Sequence, residues 1–129
     1  MKFLFVYGSL MSGMPNDIER LGLGQRMCNA TTVGQMFSSK TWFPCTKFSE
    51  EGIIHGEIYA VHDDAFIELD RIEGSPYLFA QKDINVTLAN GQVLSAVSYE
   101  FVQSTDGLVN IPYGDWRLFS LLQQQGKTE

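Results

Sequence analysis

The chain opens on an almost unbroken apolar run, Phe3 to Tyr7, which stops at Gly8-Ser9. A run of that kind predicts a strand over Lys2–Tyr7 with both faces buried. A loop carrying Gly13 and Pro15 follows, and Asn16 is placed to cap a short helix through about Leu23, with Ile18 and Leu21 turned inward. Thr31, Val33, Gln35 and Phe37 lie in a stretch of moderate strand character. Thr41–Phe48 reads as a second weak strand, and Pro44 within it suits an edge or a bulge. From Ile53 to Val61 the apolar positions fall on both alternating faces, as in a strand partly covered on each side. Asp63 then stands where a helix N-cap should, and Phe66, Leu69 and Ile72 have helical spacing through Asp64–Ile72, with Gly74 set to end the helix. Phe79–Leu88 and Gln92–Val102 flank Asn90-Gly91, the strongest hairpin signal in the chain. Trp116, Leu118, Phe119, Leu121 and Leu122 predict a last amphipathic helix over Asp115–Gln125, closed by Gly126. The sum is an α+β domain: a small, mostly antiparallel β-barrel of about six strands with two or three short peripheral helices.

Composition narrows the function classes. At 129 residues the chain predicts a single domain large enough to fold without disulfides or metal. Nine Lys+Arg against fifteen Asp+Glu leave a net charge of −6, which argues against nucleic acid or an anionic membrane as a partner. Two cysteines, Cys28 and Cys45, are too few for a disulfide framework. They could pair, but buried free thiols in a cytoplasmic protein are the expectation. The opening apolar run breaks too early for a signal peptide, and no stretch approaches the ~20 residues needed to span a bilayer.

Two places could carry chemistry. The first is the turn Tyr7-Gly8-Ser9-Leu10 at the carboxyl end of the opening strand, where glycine lets successive N–H groups converge into an anion-binding nest. The competing reading is an ordinary strand-ending turn. It is not a P-loop, because Met14-Pro15 replaces the required Lys-Ser/Thr, and Ser9 is not in a G-x-S-x-G elbow. The second is Glu73, just before Gly74. There the negative end of the helix dipole, with Asp70 one turn earlier, favours a protonated and hence more basic carboxyl. That suits a general base near neutral pH; a solvated helix-end glutamate is the plainer alternative. His55 and His62 read as structural, Trp116 as core, and Tyr113 either lines a cleft or covers the core. Gly22 and Gly24 lack the rest of a dinucleotide fingerprint.

Taken in order, several short motifs resemble the γ-glutamylcyclotransferase-like superfamily, and within it the small bacterial and plant γ-glutamylamine cyclotransferase-like proteins. They are Val6-Tyr7-Gly8-Ser9-Leu10 with Gly13, Pro15 and Asn16; Gly34-Gln35-Met36-Phe37 and Phe43-Pro44; His55-Gly56-Glu57-Ile58-Tyr59; Leu69-Asp70-Arg71-Ile72-Glu73-Gly74; and Gly114-Asp115-Trp116. The resemblance implies a small β-barrel with peripheral helices and an enzyme that cyclises a γ-glutamyl amine or γ-glutamyl amino acid to 5-oxoproline, releasing the amine. It implies Glu73 as acid/base, the backbone of Tyr7, Gly8, Ser9 and Leu10 as the holder of the substrate α-carboxylate, and neither metal nor organic cofactor. Tyr113 is the candidate for an additional donor to the oxyanion. One departure touches the leaving-group side: Ser75-Pro76-Tyr77-Leu78-Phe79-Ala80-Gln81 holds no arginine where many relatives have one. The competing functions are a non-catalytic module binding an amino-acid-like anion on the same fold, and an interaction protein, whose mark would be a large exposed apolar patch.

Overall fold

The computed structural model describes residues 1–39 and 43–128. These form strands β1 (Lys2–Val6), β2 (Gly24–Thr32), β3 (Gly34–Ser38), β4 (Pro44–Phe48) and β5 (Ile54–Val61), then helix α1 (Ala65–Glu73). Strands β6 (Phe79–Leu88), β7 (Val93–Phe101) and β8 (Val109–Ile111) follow, and helix α2 (Trp116–Thr128) comes last. Five strands close into a barrel in the order β1-β5-β2-β6-β7, and β4-β3-β8 make a separate three-stranded sheet. The expected α+β class and mostly antiparallel barrel are what the chain adopts.

β1 is the strand that seals the ring. It runs antiparallel to β5 from Lys2↔Val61 to Val6↔Glu57, and meets β7 in parallel at Leu4↔Val97. With neighbours on both sides, Leu4, Phe5 and Val6 are all buried, which is why the opening run carries no polar alternation. The Ser98 hydroxyl donates to the Phe5 carbonyl at 2.7 Å, tying β7 to β1 beside the closure. The three-stranded sheet is joined to the barrel by the Phe48 N–H, which donates to Glu100 Oε2 at 2.9 Å.

The hairpin forms as expected: Gly91 has φ 87°, and Phe79↔Phe101 through Thr87↔Val93 pair in register. α1 starts one residue later than predicted, with Asp64 at the cap position. Other expectations need correction. The segment after Asn16 is a set of turns rather than a helix. Asp17 supplies its capping, accepting from the N–H groups of Glu19 and Arg20, and Gly22 stops it before propagation can offset nucleation. Ile18 is buried as expected, but Leu21 faces solvent. The weak strand signal around Thr31–Phe37 resolves into two strands broken at Val33, the first reaching back to Gly24. β4 begins at Pro44, a strand-start position where a missing N–H costs no ladder bond; Thr41 and Trp42 lie outside the described residues. β8 was not anticipated, and α2 continues through Gly126. Trp116 and Phe119 stack at 5.1 Å on its inner face, whereas Leu118, Leu121 and Leu122 are largely exposed. Cys28 and Cys45 are free thiols.

Candidate active site

α1 ends because Gly74 turns left-handed, with φ 63°, and its N–H reaches back to the carbonyls of Asp70 and Arg71. Glu73 is therefore the last helical residue, and its side chain is directed at the end of the barrel. It lines one cavity together with the whole of Tyr7-Gly8-Ser9-Leu10, Pro44, Phe79 and Tyr99. Burial lifts its carboxyl pKa from 4.5 to about 7. The expected basic carboxyl is present, but its cause is desolvation, not repulsion from Asp70. Asp70 points to the barrel wall, where its Oδ1 accepts from the Tyr99 hydroxyl at 2.6 Å and from Gln81 Nε2 at 2.8 Å. Arg71 is no counterion either, because its guanidinium is paired with Glu68 on the exposed side of the helix.

The turn after β1 uses its backbone asymmetrically. Gly8 O accepts from the Met11 N–H at 3.1 Å, Ser9 O from Asn16 N–H at 2.8 Å and Leu10 O from Ile18 N–H at 3.2 Å. Among the described residues, the N–H groups of Gly8, Ser9 and Leu10 find no acceptor. Buried amides left open in this way form a site for an anion. Glycine is required at position 8 for space more than for conformation: a Cβ there would sit 2.7 Å from Pro44 Cδ and 2.8 Å from its Cγ. Gly8→Ala should therefore displace β4 or the turn and cost about 1–3 kcal/mol, measurable as a lowered urea midpoint.

The far end of the same turn is pinned by Glu57, which is only 6 % exposed. Its Oε1 accepts from the Ser12 N–H at 2.8 Å and the Tyr59 hydroxyl at 2.9 Å, and Oε2 pairs with Arg26 Nε at 3.1 Å and Arg117 Nη2 at 3.6 Å. Arg117 Nη2 also donates to Ser12 O at 2.9 Å. Met11, Glu57, His55 and Arg117 border a second, larger cavity of about 470 Å³. With both oxygens engaged, Glu57 is a structural anion and no free base.

The electrostatics of the smaller cavity keep its phenols neutral. Tyr7 is raised well above its ordinary pKa by burial and by the nearby Glu73 charge, and its hydroxyl donates to the Tyr99 main-chain oxygen. Tyr99 is raised by burial and by its hydrogen bond to Asp70. Phe43, 5.9 Å from Phe79 between ring centres, forms an aromatic wall of the cavity with it, and Phe101 packs on Phe79 at 5.5 Å outside the lining. The free space among these groups is only about 20 Å³, enough for a water molecule.

The other sequence candidates lie elsewhere. Tyr113 is half-buried against the core and is not among the residues lining this cavity. Tyr77 is exposed, so it is not the cavity's aromatic; Phe43, Phe79 and Tyr99 supply that surface. His55 and His62 are exposed and are not among the residues lining Glu73's cavity. Among the described residues, no three His, Cys, Asp or Glu side chains converge as a metal set, and no helix is long and apolar enough to cross a membrane. The residues missed by sequence reasoning, Tyr99, Phe79 and Glu57, sit on strands whose alternation gave no hint of which face meets the site.

Known proteins carry the same architecture. The chain is 28% identical over 119 residues to a Methanocaldococcus jannaschii protein named "Putative gamma-glutamylcyclotransferase MJ1514", covering 91% of this chain and 99% of that one. YkqA of Bacillus subtilis superposes with a TM-score of 0.78 at 24% identity, matching 96% of this chain but 42% of its own length. An AIG2-like protein of Mus musculus superposes with a TM-score of 0.72 at 22% identity, over 82% of this chain and 80% of that one. At these identities the two structures speak for the fold. The sequence profile described as "Gamma-glutamyl cyclotransferase, AIG2-like" matches residues 4–118, which include the open-amide turn, Glu73 and Glu57. This chain belongs to the gamma-glutamyl cyclotransferase, AIG2-like family.

Proposed function

We propose that the protein converts a γ-glutamyl amine or γ-glutamyl amino acid to 5-oxoproline and the free amine, with Glu73 as general acid/base. The observation that carries this reading is the meeting, in one cavity, of Glu73 and a turn with open main-chain amides. The α-carboxylate of the glutamyl group is held by the N–H groups of Gly8, Ser9 and Leu10, which folds the chain and brings its α-nitrogen within reach of its own γ-carbonyl. Glu73 takes a proton from the α-ammonium, whose reference pKa of about 7.7–8.0 lies close to that of the buried carboxyl. The freed nitrogen attacks the γ-carbonyl carbon and closes a five-membered ring. As the tetrahedral intermediate collapses, the carbon–nitrogen bond to the leaving group breaks and Glu73 gives its proton to that nitrogen; the ring nitrogen then loses its second proton by way of the same carboxylate, so that the lactam forms and the amine departs as its ammonium.

Among the described residues, none of those lining the cavity is cationic. The glutamyl group exceeds the free space of about 20 Å³, so binding displaces lining side chains. The test is a panel of γ-glutamyl amines and γ-glutamyl amino acids, assayed for 5-oxoproline. The reading expects turnover whose kcat rises with pH through about 7, because Glu73 accepts a proton only when ionised. Binding without release of 5-oxoproline from any compound would favour the non-catalytic anion-binding alternative.

A further inference from the structure

We infer that Asp70 is a positioning residue: held on the barrel by Tyr99 and Gln81, it fixes the last turn of α1 and thereby aims Glu73 at the Tyr7–Leu10 amides. The inference rests on the proposed acid/base role of Glu73 for its kinetic consequence, but not for its structural one.

Glu73 stands three residues after Asp70, one helical turn on, at a helix end where intrahelical N–H donors run out and the last carbonyls need partners from beyond the helix. Both ends of Asp70 are engaged. Its carbonyl accepts from the Ser75 N–H at 2.9 Å, closing the turn around Gly74. Its carboxylate receives the Tyr99 hydroxyl from β7 at 2.6 Å and the Gln81 amide from β6 at 2.8 Å. Two barrel strands thus grip one side chain of the terminal turn. Tyr99 is itself fixed, since its main-chain oxygen receives the Tyr7 hydroxyl. A chain of hydrogen bonds therefore runs from the open-amide turn, through Tyr7 and Tyr99, to Asp70 and the backbone that carries Glu73. The same two elements that must face each other for chemistry are held in mutual register by side chains outside the bond-making step. Such registration matters because a displacement of about 1 Å can cost roughly 10²-fold in rate.

Among the described residues lining the cavity, the titratable groups facing Glu73 are the phenols of Tyr7, from the end of β1, and Tyr99, from β7. Asp70→Ala and Asp70→Asn separate position from charge. Both remove the carboxylate, but the asparagine oxygen still accepts from Tyr99 and Gln81. Two readouts are needed. With a γ-glutamyl compound that the wild type cyclises, Asp70→Ala is expected to lower kcat by about 10²-fold with KM changed far less, and Asp70→Asn to recover most of that loss. Independently of any activity, the Glu73 carboxyl can be titrated by ¹³C NMR, with Glu73→Gln assigning the signal. Its midpoint near 7 should fall toward the ordinary 4.5 in Asp70→Ala, as the loosened turn admits water, and stay near 7 in Asp70→Asn. If Asp70→Ala does not fold, Tyr99→Phe, which deletes one of the two grips, should move the same titration downward. An unchanged midpoint in Asp70→Ala and Tyr99→Phe, or equal shifts in Asp70→Ala and Asp70→Asn, would overturn the positioning role. Absence of 5-oxoproline with a midpoint that moves as described would refute the reaction and leave the positioning intact.

Discussion

Glu73→Gln is expected to abolish 5-oxoproline formation and, in the same protein, to raise the unfolding temperature at pH 8. The loss of rate follows from losing the proton acceptor while shape is kept, and general acid–base help of this kind is worth about 10²–10⁴-fold. The gain in stability follows from linkage. Folding raises the Glu73 pKa from 4.5 to about 7, so between those values the native state holds a proton that the unfolded state has released. Stability therefore declines as pH rises through that window, and above it the folded protein carries the full cost of a buried carboxylate, about 3 kcal/mol. Glutamine removes that cost. The gain should approach 10 °C, as an order of magnitude, at pH 8 and shrink to a small fraction of that at pH 4, where both states are mostly protonated. Differential scanning calorimetry of both proteins across this range checks the sign. A variant less stable at pH 8 would mean that the carboxylate has a favourable partner, and a variant of undiminished rate would remove Glu73 from the proton-transfer step.

Glu57→Ala should be the most damaging single truncation. It leaves the Ser12 N–H and the fully buried Tyr59 hydroxyl without their acceptor, and Arg26 and Arg117 without their shared anion. Removing one member of a buried ionic cluster typically costs about 3–5 kcal/mol. Both arginines reach water in part, which places the expectation at about 3 kcal/mol, a large share of the stability of a domain this size. Glu57→Gln keeps one oxygen acceptor and should cost clearly less. Urea denaturation would measure both. Because Ser12 is held at its N–H by Glu57 and at its carbonyl by Arg117, the alanine variant should also weaken binding at the neighbouring turn, seen as a higher KM with kcat less affected.

The legible parts of this chain were those whose structure is decided locally. Asn90-Gly91 dictates its hairpin because the turn needs φ > 0 where glycine is present. Gly74 dictates the end of α1, and with it the position of Glu73. The meeting of Glu73 with the Tyr7–Leu10 turn followed from the family resemblance, not from spacing, since the two are far apart along the chain. What stayed hidden was decided at a distance. β8 is three residues that are a strand only because Met36, Phe37 and Ser38 are available to pair with them. β2 begins at Gly24, which reads as a turn residue, because close packing on Val61 and the Ala60 carbonyl leaves no room for a Cβ. Glu57 looked like the polar member of an alternating strand, and its burial is made possible by Arg26 and Arg117 from the two ends of the chain. From its loop Tyr113 could line a cleft or cover the core, and it packs on the core outside this cavity, whereas Tyr99, in mid-strand, borders the cavity alongside Tyr7.

The parallel closure of β1 on β7 has a consequence for when the protein becomes competent during synthesis. β1 waits for residues beyond position 90 before its second neighbour exists, so contacts of very high sequence separation must form late and slowly. Until Val97 has left the ribosome, the open amides at the end of β1 have no Tyr99 beside them and Glu73 has no cavity. Nascent and carboxyl-truncated chains ending before that point should expose β1 as an unpaired sticky edge, which is the state from which aggregation starts.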